Sequence, residues 1–163
     1  MNELEERKNP KPIRPQGMGF FLVLSFIGSG FNAISNLFTY KAFPMLKETF
    51  ANNDFSSLFP AEVIDASMAM LDINKIFYLI IALLNLVSFT GVLKMWKMDK
   101  IGFHIYAIAQ VLILIANSVF LYPTQENSSL LSDLMLTGLF ILLYYLMFKR
   151  IEFQNNGNQE GNI

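Results

Sequence analysis

Few side chains in this chain can do chemistry, and the informative ones lie inside apolar runs. Ser25, Ser29, Asn32 and Asn36 follow one another at spacings of 4, 3 and 4 within an uncharged stretch of 24 residues, GMGFFLVLSFIGSGFNAISNLFTY (17–40). That spacing puts all four on one face of a helix. Gln110, Asn117 and Ser118 belong to a second such run, while Asp133 and Thr137 stand four apart near the start of another. A carboxylate in an apolar run marks a place to look for function, because hydrocarbon offers it no partner. The chemistry open to this set is hydrogen-bonded recognition of a small polar or cationic molecule.

Bond-making chemistry lacks its parts. The chain has no Cys, which removes disulfides, thiol nucleophiles and thiolate metal sites together. His104 is the single histidine. It has no second histidine to share a metal with, and it lies at the opposite end of its run from the carboxylate level, so no seryl triad can be assembled. A proton relay through it would need acids at its own depth, where only Asp99 is expected. No phosphate loop, dinucleotide fingerprint or zinc-binding helix motif occurs. We therefore expect no enzyme, no cofactor and no metal.

The elements that must position these groups are membrane spans. Of 163 residues, 53% are hydrophobic and 15% charged, against about 25% charged in soluble domains. The stretch 17–40 reaches roughly 36 Å as a helix, enough to cross a hydrocarbon core with some tilt. Stretches at 73–93, 101–122 and 130–148 read the same way. An all-α polytopic membrane protein is predicted, with four transmembrane helices in one bundle over 17–150. The first span is too long for the apolar core of a signal peptide and is expected to be retained.

The connections differ in character. Residues 1–16 form a polar tail carrying Pro10, Pro12 and Pro15, and 151–163, rich in Asn, Gln and Gly, are expected to be disordered. The loop 41–72 carries helical periodicity in FPMLKETF (43–50) and PAEVIDASMAML (60–71), each with a Pro near its start. Two short amphipathic helices on the membrane surface or capping the bundle are predicted there. The turn at 94–100, KMWKMDK, sets Trp96 among lysines as an interfacial anchor.

Sidedness follows from the basic residues. Arg7, Lys8, Lys11, Arg14, Lys94, Lys97, Lys100, Lys149 and Arg150 fall on one side, and Lys41, Lys47 and Lys75 on the other, which accounts for all 12. The positive-inside rule then makes both termini cytoplasmic and the loop 41–72 extracytoplasmic. The bias to Asn, Lys, Ile and Phe points to a bacterial inner membrane. With a net charge of −1 and no basic patch, a nucleic-acid partner is not expected.

This orientation brings Asn36, Asn117 and Asp133 to one depth, about 6–8 Å below the outer boundary, with Asn32 about one turn deeper. The candidate site is an outward-facing polar pocket formed by Ser29, Asn32, Asn36, Gln110, Asn117, Asp133 and Thr137. The competing reading is that these groups are interhelical hydrogen-bond glue, worth about 0.6 kcal/mol each. Gly28 and Gly30 are expected to let a neighbouring helix approach span one closely. Two functions follow. The first is a non-enzymatic subunit or accessory of a membrane assembly, with the bilayer and a protein partner or second copy as its contacts. The second is transport or sensing of a small polar or cationic solute around Asp133.

Overall fold

The computed structural model describes residues 17–51, 59–121 and 127–160. The expected N-terminal tail and the segments 52–58, 122–126 and 161–163 lie outside the described residues. Among the described residues there are five helices: α1 (Met18–Ala51), α2 (Ala61–Leu71), α3 (Ile76–Trp96), α4 (Lys100–Phe120) and α5 (Asn127–Glu160). Among the described residues there is no strand. Four of the helices, α1, α3, α4 and α5, are long and apolar enough to cross a membrane.

α3 and α4 form the closest pair. The buried stripe of α3, Ile81, Asn85, Ser88, Val92 and Met95, recurs at 4, 3, 4 and 3, the seam of a helix packed along its length. α4 answers with Gly102, Tyr106, Ala109 and Ala116. The backbones come closest at Gly91 and Gly102, where a Cβ built on Gly102 would lie 2.5 Å from the Met95 nitrogen and 2.6 Å from the Gly91 carbonyl. Small residues here let two helices touch without side chains between them. The turn that joins them is tight: Met98 takes φ 63°, and the Asp99 carboxylate accepts from the Ile101 backbone N–H at 3.0 Å. The close approach expected at Gly28 and Gly30 is thus found elsewhere. A Cβ on Gly28 meets nothing within 4 Å, and one on Gly30 meets only the Phe89 ring, at 3.3 Å.

Two clusters hold the helices together. The first, at the end where Lys94, Lys97, Lys100 and Lys149 lie, joins Met18 and Leu22 of α1, Val92 and Met95 of α3, Tyr106 of α4, and Tyr144, Phe148 and Ile151 of α5. The Tyr106 and Tyr144 rings meet edge to face at 5.3 Å. The second, at the far end, joins Ile73, Phe77, Tyr78, Ile81 and Ala116, with Tyr40, Phe43 and Phe120 against it. Among the described residues, α5 contributes none to that second cluster. Its second half is anchored, while Leu131–Leu136 are exposed.

Two boundaries differ from those read in the sequence. The segment 43–50 is not a separate helix: α1 continues through Pro44 to Ala51. Proline in a helix interior removes one backbone bond and strains the preceding turn. Here the continuation is held by packing, with the Phe43 ring 5.9 Å from Tyr78 and Lys47 3.4 Å from Asp72. The second expected helix corresponds to α2, tied to α3 by the Tyr78 hydroxyl donating to the Met70 carbonyl at 2.7 Å. α5 also runs past Arg150 to Glu160. Ile151 continues the buried stripe of Tyr144 and Phe148 at spacings of 4 and 3, which carries the helix beyond its apolar run.

Candidate ligand-binding cavity

A cavity of about 630 Å³ opens between α1, α3 and α4, with Leu136, Thr137 and Phe140 of α5 on its wall. Its deep end is closed by a hydrogen bond between the Ser25 and Tyr144 hydroxyls at 2.8 Å. Ser29, next along α1, donates back to the Ser25 carbonyl at 2.7 Å. Higher up, the Gln110 amide donates to the Ser88 hydroxyl at 2.9 Å, joining α4 to α3. Asn85, 5% exposed, donates to the Ile81 carbonyl at 2.9 Å. Toward the mouth, the Asn36 amide donates to the Asn32 carbonyl at 2.8 Å.

Six of the seven residues singled out in the sequence line this one cavity: Ser29, Asn32, Asn36, Gln110, Asn117 and Thr137. Asp133 does not. It lies one turn before Thr137 on the exposed first half of α5. The α1 face is also rotated slightly from the expected one. Ser25 and Ser29 are buried together with Met18, Leu22 and Ala33, while Asn32 and Asn36 sit on the edge of that seam, facing the opening. At 3.6 residues per turn the 4-3-4 line from Ser25 to Asn36 turns by only about 20°, whereas the buried seam steps 4 and 4 from Ser25 to Ala33 and turns by about 80°, so the seam moves off the polar line toward the far end.

Asn85, Tyr78 and Tyr106 also line the cavity and were missed as site residues. The Asn85–Ser88 spacing in span two was the available signal. The tyrosines gave none, because an aromatic in a span is usually packing.

The polar groups fall into two sets. Gln110, Asn85, Ser25 and Ser29 spend donors on helix-to-helix or backbone bonds. The side-chain amides of Asn32 and Asn117 bond to no other described residue, although both line the cavity. A primary amide brings two donors and an acceptor carbonyl. In a bilayer each unmade bond costs several kcal/mol, so these groups call for water or a guest. Among the described residues no Asp, Glu, Lys, Arg or His lines the cavity. Its chemistry is that of a neutral hydrogen-bonding belt between apolar walls of Leu24, Phe77, Ile81, Ile113, Leu136 and Phe140.

Among the described residues no three His, Cys, Asp or Glu side chains gather as a metal site. No protein-family model, curated protein sequence or solved structure matches the chain. Function is therefore argued from the geometry of the site.

Proposed function

We propose that this chain is a non-enzymatic integral membrane protein that binds a small uncharged molecule with hydrogen-bonding groups inside the bilayer, as a sensor or carrier. One observation carries the reading: a cavity of about 630 Å³, between helices long enough to span, offers the amides of Asn32 and Asn117 and, among the described residues, no ionic group. Asp133 is not among the residues that line it, so the described walls give a cation no counter-charge. A neutral guest with an amide, hydroxyl or carbonyl would satisfy the two asparagines and bury its apolar part against Phe77, Ile113 and Phe140. The mouth lies at the end away from the lysine-rich turn. With both termini cytoplasmic, as in a bacterial inner membrane, the site faces outward.

The accessory-subunit reading has separate support. Leu131, Leu134, Met135, Leu136 and Leu139 of α5 are all exposed, next to the cavity. A partner's helix seated there would fill the same space. Native mass spectrometry of gently extracted protein separates the two. The ligand reading expects a bound mass of a few hundred daltons, roughly what such a pocket holds, lost in Gly28→Leu. Gly28 lines the cavity and has open space at its Cβ, so a leucine there occupies the site without displacing a helix. A bare chain, or a stoichiometric protein partner, contradicts it.

A further inference from the structure

The cavity has one side that the helix packing leaves open. α3 packs along both α1 and α4, and α5 packs against α4. α5 meets α1 through long side chains, with the Phe21 and Phe140 rings 6.2 Å apart and the Ser25 and Tyr144 hydroxyls 2.8 Å apart. One turn further along α1, a Cβ added to Gly28 meets nothing within 4 Å. Leu24 and Leu136 both line the cavity and are 47% and 58% exposed, and Asn32 is exposed as well. Residues that are at once lining and exposed form a rim. The rim here is a slot between Leu24, Gly28 and Asn32 of α1 and Leu136 and Thr137 of α5.

Depth decides what lies outside that slot. Gln110 comes ten residues and Asn117 seventeen after Lys100, the first residue of its span, or about 15 and 25 Å along it. Asn32 comes fourteen residues after Met18, and Thr137 fourteen before Ile151, so each is about 21 Å from the lysine-rich end of its span. A hydrocarbon core is about 30 Å thick. The polar belt and the slot beside it therefore open onto acyl chains, not onto water or headgroups. A charged head at this depth would pay several kcal/mol in lost hydration. An uncharged head can exchange hydrogen bonds with the amides there.

We infer that the guest is a lipid dissolved in the bilayer, with a small uncharged hydrogen-bonding head on a hydrocarbon chain, which enters sideways between α1 and α5. The head bonds Asn32 and Asn117, and the chain leaves through the slot past Leu24 and Leu136 into the surrounding acyl chains. This rests on the neutral-guest reading of the cavity and adds where the guest comes from and what it must carry. The chain contributes by concentrating the guest in the bilayer at the level of the slot.

The test is native mass spectrometry of the full chain in detergent, titrated with three related compounds. Monooleoylglycerol has an uncharged head on one chain. Oleoyl lysophosphatidic acid adds a phosphate to it, and glycerol monoacetate keeps the head without the long chain. Wild-type protein should retain monooleoylglycerol about tenfold or more over either of the others. Gly28→Leu, which fills the slot, should abolish that retention. Asn32→Leu with Asn117→Leu should weaken it about tenfold, roughly threefold for each hydrogen bond lost inside the membrane. Glycerol monoacetate retained as well as monooleoylglycerol overturns the lipid inference and leaves the neutral-guest reading standing. Lysophosphatidic acid retained as well as monooleoylglycerol overturns the inference, and so does a double leucine variant that binds like wild type. Wild-type protein that retains none of the three overturns it too, while the mass carried by gently extracted protein still decides the neutral-guest reading.

Discussion

Gly28 and Gly91 both lie in apolar spans, yet a methyl group added to each would meet opposite surroundings. At Gly91 the added carbon falls 2.8 Å from the Tyr106 nitrogen and 3.0 Å from the Gly102 carbonyl, both backbone atoms that cannot step aside. At Gly28 it meets nothing within 4 Å. Gly91→Ala must therefore part α3 from α4, at a cost of roughly 1–3 kcal/mol typical of overpacking. A lower melting temperature is expected, and an unchanged one would show that this contact does not set the α3–α4 distance. The asparagines divide in a similar way. Asn85 is spent on the Ile81 carbonyl of its own helix, whereas the side-chain amides of Asn32 and Asn117 bond to no other described residue. Side chains of one chemical type thus satisfy their own helix in one place and face the cavity in another.

At the level of helices, α1 shows how tertiary contacts overrule a local signal. Pro44 lies in its interior, so the Tyr40 carbonyl lacks its usual N–H partner. Tyr40 and Phe43 pack against the far-end cluster just before the proline, and Lys47, 3.4 Å from Asp72, tethers the turn after it. Pro44→Ala supplies the missing N–H and should stabilise the protein by roughly 1–3 kcal/mol. A thermal melt checks it, and a fall in melting temperature would mean that the strained turn is needed for α2 to dock. The four spans were legible in the sequence because uncharged runs of this length have few other uses. The polar belt was legible because 4-3-4 spacing and depth are arithmetic. The fate of Pro44, the helical continuation after Arg150 and the Gly91–Gly102 contact were not, since each depends on what the neighbouring helix presents. Asp133 was placed with the others by depth, which does not register that the cavity is lined by Thr137, one turn further along α5, and not by Asp133.

For the molecule as a whole, α3 packs along both α1 and α4, and α5 is fastened to these helices at one end. The cluster of Tyr144, Phe148 and Ile151 fixes that end, and the cavity and the exposed half of α5 follow from it. Sidedness is testable because the chain lacks cysteine. With the basic end cytoplasmic, a thiol placed by Glu62→Cys should react with an impermeant maleimide in intact cells, and one placed by Lys97→Cys only after permeabilisation. The reverse pattern would invert the proposed orientation.

The most direct test of the cavity is an experimental structure of the protein in a lipid nanodisc, read between α1 and α5. The expected result is α5 held away from α1 beside Thr137, with density for a guest or ordered water in contact with both Asn32 and Asn117. A structure in which α5 closes onto α1 along its whole length, with those two amides bonded to each other or turned to lipid, would contradict it.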